Sequence, residues 1–144
     1  MANEQPPGNE HATAKANVDL VRTAFEAFAR GDAVAVLEFV DRDLEWTFLD
    51  PSVRDPQPAV CHGRRQLADR LAHRSGRALP TELEEVVAVG KQVLAVTHIP
   101  GLDAFRARQA DDRNYHLVTV EKGRITALRA CRSREEAVAL ASPG

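Results

Sequence analysis

The chain has 144 residues, 44% of them hydrophobic and 28% charged, which suits a single globular domain. Its formal net charge is −2 with both signs interspersed, so no basic surface is available for phosphate backbones and nucleic acid is excluded as a predicted partner. No apolar run approaches the roughly 18 residues that span a bilayer, and the N-terminus lacks a secretory signal pattern. We therefore predict a cytoplasmic protein without membrane contact.

The N-terminal segment has the composition of a flexible tail. Pro6, Pro7 and Gly8 lie within it, and its residues show no apolar periodicity. The sequence therefore predicts a tail over residues 1–16, followed by a single domain over residues 17–144.

Two helices are predicted at the start of this domain. Residues 17–30 carry apolar side chains at helical spacing, among them Phe25 and Phe28. Gly31 can end this helix in the left-handed conformation, and Asp32 can cap a second, shorter helix.

A strand, a loop and a third helix come next. Residues 43–49 alternate apolar and polar side chains, which is typical of a strand with one buried face, and Trp46 lies in its middle. Three prolines within residues 50–59 predict a loop. Beyond Gly63, leucines at helical spacing predict a helix that ends near Gly76.

The second half of the sequence predicts antiparallel sheet. Two hairpins are expected, one from residues 82–89 and 92–99 and one from residues 113–120 and 124–131. A short strand near residues 104–108 could lie between them. Ser133 and Glu136 have capping-box spacing before a short terminal helix. Helices segregated from hairpin-linked strands indicate an α+β domain, and a cavity between the two layers would suit a small molecule.

Three stretches carry a resemblance to a known family: LVRTAFEAFARGDAVAVLEFVDRDLEW, CHGRRQL, and VTVEKGRITALRACRSREEAVAL. This layout resembles the nuclear-transport-factor-2-like superfamily, and within it the SnoaL-like polyketide cyclases and ketosteroid isomerases. The resemblance implies a cone-shaped, cystatin-like α+β barrel with three N-terminal helices packed on a curved, mostly antiparallel sheet around a pocket. It also implies a homodimer formed through the outer sheet face. Members of the superfamily include several kinds of enzyme and proteins without chemistry, so the fold alone does not define the function.

The isomerase pattern suggests a first catalytic set. Those enzymes carry an aspartate before a proline just after the first strand, and Asp50 stands near that place as a candidate base. Tyr115 stands near the position of their late-strand oxyanion donor, although it could also simply pack against the cavity wall. Their helix tyrosine is replaced here by Ala24, which argues against steroid isomerisation.

The other relatives suggest histidines instead. SnoaL-like cyclases pair an acidic residue in the late strands with a histidine, so His98 and His116 are candidates, although neither has an obvious acidic partner in the sequence. Strand alternation places His98 with Leu94 and turns His116 away from Tyr115, towards the outer side of the sheet. A packed structural role is the alternative for His98.

Further residues are candidates for ligand contact. Trp46, Phe25 and Phe28 are expected to form core or pocket wall, and His62 could cap the third helix or reach the pocket mouth. The five histidines and two cysteines match no metal spacing, so no metal site is predicted, and the cysteines are expected to be reduced thiols.

The resulting functional hypothesis is a SnoaL-like pocket protein, with an isomerase or cyclase activity that acts on a small apolar carbonyl compound without a cofactor. Two alternatives stay open. One is a non-catalytic binder of a small hydrophobic molecule, and the other is a dimeric interaction module with no chemistry.

Overall fold

The computed structural model describes residues 7–48, 57, 59–75, 81–98 and 113–141. None of the helices in these ranges is long and apolar enough to cross a membrane. The helices and strands follow one another in this order: α1 (Pro7–Ala29), α2 (Ala33–Glu38), β1 (Val40–Phe48), β2 (Ala59–His62), α3 (Gly63–Ser75), β3 (Glu82–Val89), β4 (Gln92–His98), β5 (Arg113–Glu121), β6 (Arg124–Cys131) and α4 (Arg134–Leu140).

Helix α1 begins at Pro7, well before the predicted start at residue 17. Proline suits the first turn of a helix because its missing N–H is not needed there. Lys15 donates to Asp19 at 2.9 Å, an i,i+4 ion pair that joins the added turns to the predicted helix. Residues 7–16 are therefore helical and extend α1 by ten residues before its predicted start.

The corner between α1 and α2 is formed as the sequence predicts. Gly31 adopts a φ of +77°, and Asp32 Oδ1 accepts a hydrogen bond from the Ala35 N–H at 3.1 Å. The side chain of Asp32 thus satisfies one of the N–H groups that have no partner within the first turn of a helix.

The strands form one six-stranded sheet in the order β2-β1-β6-β5-β4-β3. Strands β1 and β6 run parallel, and every other neighbouring pair is antiparallel. Because β2 and β3 are its two edges, the sheet is open and does not close into the expected barrel. Strand β2 was not predicted, since three prolines, Pro51, Pro56 and Pro58, lie in the segment before it.

Both predicted hairpins are confirmed, as is the terminal helix. Gly90 and Gly123 adopt positive φ angles of 58° and 76° in the two turns. Ser133 Oγ accepts from the Glu136 N–H at 3.0 Å, and Glu136 Oε1 accepts from the Arg132 N–H at 2.7 Å. The short strand predicted near residues 104–108 lies outside the described residues.

The sheet has two apolar faces. The inner face packs against α1, α2 and α3, and its core includes Val21 of α1 and Val93 of β4. The outer face packs against α4, whose Ala137 has no exposed surface, and includes Leu94. Because both faces are covered, five consecutive residues of β4, Val93 to Thr97, are buried.

Candidate functional site

The inner face gathers three of the predicted wall residues. Phe25 of α1 is buried, and Phe28 and Trp46 are partly buried against the same cluster. The rings of Phe25 and Phe28 meet edge to face, with centroids 6.4 Å apart. Trp46 lies opposite Cys61 of β2 and Leu128 of β6 in the strand register. The structure therefore brings these aromatic side chains into one layer, and their contact with a ligand stays a prediction.

His116 joins this layer. Its ring lies against Phe25, with centroids 5.1 Å apart and planes tilted by 47°. Its Nε2 is 3.1 Å from Thr97 Oγ1, and only 3% of the Thr97 surface is exposed. His116 therefore lies on the inner face, and the predicted outward orientation is wrong.

Tyr115 lies on the opposite face of the same strand. It is only 6% exposed and belongs to the outer cluster with Leu94, Leu117 and Cys131. The Arg134 guanidinium lies 5.9 Å from the centre of its ring, within the range of a cation–π contact. Tyr115 and Phe25 are therefore on different sides of the sheet. The predicted orientations of Tyr115 and His116 are exchanged, because apolar residues occupy both faces of β5 and alternation alone does not tell the faces apart.

His98 lies at the end of β4 and is paired with an acidic residue that the sequence did not reveal. Its Nδ1 is 3.2 Å from Glu82 Oε1, and its side chain is 17% exposed. Glu82 is the register partner of His98 across the first hairpin. A cross-strand pairing of this kind depends on the register, which residue spacing does not reveal.

The surroundings of His98 include three potential metal ligands. The ligand atoms of Glu82, Glu84 and His98 lie within 4.8 Å of one another. The Arg113 guanidinium donates to both carboxylate oxygens of Glu84, at 2.8 and 3.1 Å. A metal cation would have to displace Arg113 before Glu84 could coordinate it. These residues therefore form an ion-pair network and not a metal site.

His62 ends β2 and is exposed. Its backbone N–H donates to Gln66 Oε1 at 2.7 Å, which ties the entry of α3 to the strand. The next residue, Gly63, has a φ of +81°, and an added Cβ would lie 3.3 Å from the Arg42 carbonyl oxygen. These contacts support the structural alternative for this segment. The other predicted base, Asp50, lies outside the described residues.

The two cysteines are free and buried, one on each face of the sheet. Burial raises the pKa of Cys61, which lies opposite Trp46. Burial also raises the pKa of Cys131, to about 11. Both thiols are therefore held in the protonated, weakly nucleophilic form near neutral pH.

A polar cleft of about 490 Å³ lies away from this layer, near the turn between β5 and β6. It is lined by Asp41, Glu121, Lys122, Arg124 and Thr126. No predicted site residue lines it, so the enclosed apolar pocket of the sequence analysis stays a prediction.

Helices on one face of an open, mostly antiparallel sheet, with a short helix on the other face, define a cystatin-like α+β domain. A family description of a SnoaL-like domain matches residues 21–128. The chain therefore belongs to the SnoaL-like family.

Several solved structures are similar to the chain. An NTF2-like protein of unknown function from Burkholderia pseudomallei is 21% identical, with 87% of this chain and 96% of that chain covered and a TM-score of 0.62. Bal32a, from a soil-derived mobile gene cassette, is 18% identical, with 86% and 94% covered and a TM-score of 0.64. A candidate polyketide cyclase from Sinorhizobium meliloti is 18% identical, with 78% and 94% covered and a TM-score of 0.58. No curated protein matches the chain significantly. At these identities the likeness shows the shared fold.

Proposed function

We propose that this protein binds a small apolar carbonyl compound between α1 and the inner face of the sheet, and that His116 carries cofactor-free acid–base chemistry on it. The observation that carries the proposal is the position of His116, between the Phe25 ring and the Thr97 hydroxyl. A free imidazole has a pKa of about 6.5, so a histidine can give or take a proton near neutral pH.

The surroundings of His116 favour an apolar ligand. Phe25 and Trp46 supply aromatic surface in the same cluster, and Val118 and Ile125 supply aliphatic surface. A mostly apolar site with one or two polar groups is the usual composition of a small-molecule site. The relative from Sinorhizobium meliloti is a candidate polyketide cyclase, which supports chemistry on a carbonyl compound as one form of the proposal.

Asp50 keeps its predicted role as a second acid–base group in this proposal. A carboxylate near an apolar layer would gain proton affinity through partial desolvation and could act as a base. His116 would then be the donor that Tyr115 was expected to be, because His116 is on the inner face and Tyr115 is on the outer one.

A homodimer is the remaining part of the proposal. Val138 and Leu140 on α4 are 51% and 42% exposed, which supports an assembly surface on the outer side of the molecule. Sedimentation at increasing protein concentration tests it. If the protein sediments as a monomer at all concentrations, the homodimer is contradicted and the proposed ligand site is unaffected.

The ligand site is tested with the fluorescence of Trp46, which is the one tryptophan of the chain. An apolar phenol is titrated into the wild type and into His116→Gln, His98→Gln and Asp50→Asn. His98→Gln is the matched control because His98 lies beside Glu82, away from the inner cluster. We expect the phenol to quench Trp46 and His116→Gln to weaken binding about fivefold or more, the effect of one lost hydrogen bond.

Other outcomes would decide between the alternatives. Equal binding by the wild type and His116→Gln would remove His116 from the proposal. Binding without turnover of any enolisable ketone would favour the non-catalytic binder. The absence of a Trp46 response across a broad apolar panel would contradict the ligand site and favour the interaction module.

A further inference from the structure

Thr97 is unusual, because apart from Tyr115 and the two cysteines it is the one described residue that combines a polar side-chain group with a buried position. It lies on β4 between Val96, which belongs to the outer cluster, and His98 at the end of the strand. Its hydroxyl points to the inner face, where Oγ1 is 3.1 Å from His116 Nε2. A buried hydroxyl is costly unless it forms a hydrogen bond, so this contact accounts for a polar residue in an apolar layer.

The strand geometry fixes the pair. The register places His116 opposite Ala95, so Thr97 and His116 are diagonal neighbours on one face of β4 and β5. Threonine is β-branched and has a restricted χ1 angle, which holds Oγ1 in one direction. The Phe25 ring packs against the imidazole and limits its other movements.

We propose that Thr97 is a positioning residue for His116, which holds the imidazole through Nε2 and thereby assigns proton exchange with the ligand to Nδ1. This inference rests on the proposed function, since it concerns the same site. Proton exchange at Nδ1 leaves the hydrogen on Nε2 in both protonation states, so the Thr97 hydroxyl accepts from Nε2–H in both. The ring can therefore keep its position in both protonation states.

The same contact restricts the ligand class. Among the described residues of this layer, His116 is the one group that ionises near neutral pH, so while its ring is neutral a charged ligand group would find no opposite charge there. The site is therefore suited to a neutral compound with one oxygen near His116, such as a ketone or its enol. A carboxylate of the same shape should bind more weakly at a pH above the His116 titration, where the ring is neutral.

The test uses ¹⁵N-labelled histidine in the full chain, with Thr97→Val, Thr97→Ser and the control Thr126→Val. Valine matches the shape of threonine but lacks its hydroxyl, whereas serine restores the hydroxyl. Thr126 donates its hydroxyl to the Thr119 carbonyl oxygen, so its loss removes a strand hydrogen bond without touching His116.

The expected readout is the titration of the two His116 nitrogens. Hydrogen bonds to a charged group are the stronger ones, so loss of the Thr97 hydroxyl should destabilise the imidazolium more than the neutral ring. We expect Thr97→Val to lower the midpoint of the His116 titration by about half to one pH unit. The same substitution should weaken phenol binding about fivefold. Thr97→Ser and Thr126→Val should titrate and bind like the wild type.

The outcomes separate this inference from the proposed function. A folded Thr97→Val protein whose His116 titrates and binds phenol like the wild type would overturn the positioning role. If His116 in the Thr97→Ser protein titrates with the same lowered midpoint as in Thr97→Val, the positioning role of the Thr97 hydroxyl is overturned as well. A shifted midpoint in a protein that binds no phenol would support the Thr97–His116 coupling and overturn the proposed ligand site.

Discussion

The two faces of β4 and β5 are built from alternating residues of the same strands, yet they hold different kinds of contact. On the outer face, Tyr115 packs with Leu94 under α4, beneath the guanidinium of Arg134. On the inner face, His116 contacts Thr97 and Phe25. The outer face is thus closed by the chain itself, whereas the inner face holds a titratable ring within an aromatic layer. Stability and acid–base chemistry can therefore be changed separately by substitutions one residue apart.

The largest expected effect comes from the outer core. Leu94 has no exposed surface, so Leu94→Ala should lower the free energy of unfolding by about 3 kcal/mol through lost burial and a new cavity. Because Leu94 faces away from His116, the folded variant should keep the wild-type His116 titration. Urea unfolding and ¹⁵N NMR measure the two quantities. A changed His116 midpoint would show that the two faces are coupled.

The error at Tyr115 and His116 shows what alternation can and cannot predict. Period-2 spacing correctly separates the two side chains, but β5 buries residues on both faces, and nothing in the spacing marks which face α1 covers. The hairpins were predictable because Gly90 and Gly123 supply the positive φ angles that tight turns need. Local chemistry therefore predicts the turns, and the packing of helices on the sheet decides the site.

Two other features depended on contacts between distant segments. The Glu82–His98 pair forms because a bulged register in the first hairpin brings the two residues together, and the sequence shows no fixed spacing for such a pair. Strand β2 exists because it pairs with β1, despite the prolines before it. The early start of α1 is different, since alanine and lysine favour helix on their own and this signal was outweighed by Pro6, Pro7 and Gly8.

A smaller effect is expected on the inner face. Phe25→Leu keeps an apolar side chain but removes the ring that lies 5.1 Å from the His116 ring. We expect a loss of about 1.5 kcal/mol of stability. Phenol binding, followed by Trp46 fluorescence, should weaken as well. Phe28→Leu serves as the control because the structure places Phe28 against Phe25, further along α1. If both variants lose the same amount of phenol affinity, the contact between Phe25 and His116 does not contribute specifically to phenol binding.

A smaller loss of stability is expected from the N-cap of α4, which packs on the outer face. Ser133 Oγ accepts from the Glu136 N–H, so Ser133→Ala should cost about 1 kcal/mol of stability. Ser133→Asp retains an acceptor and should restore most of the loss. Thermal unfolding measures both variants. A loss of phenol binding in folded Ser133→Ala would contradict the separation of the two faces, since α4 packs on the outer cluster alone.

The smallest effect concerns the ion pair that ties α4 to β3. Arg134 donates to Glu85 through both terminal nitrogens, and this hydrogen bonding lowers the pKa of the Glu85 carboxyl below its usual value of 4.5. Both side chains are about a third or more exposed, so the pair should contribute only about 0.5 kcal/mol.

The sign of the pH dependence follows from the lowered pKa of Glu85. A carboxyl with a depressed folded-state pKa stabilises the protein above its unfolded pKa, and this contribution is lost as the pH falls through the folded value. Glu85→Gln should therefore be less stable than the wild type at pH 7, and the difference should shrink below about pH 4. Urea unfolding at both pH values measures this difference. A gap of constant size would mean that Glu85 acts through packing and that its charge contributes nothing to the stability of the outer face.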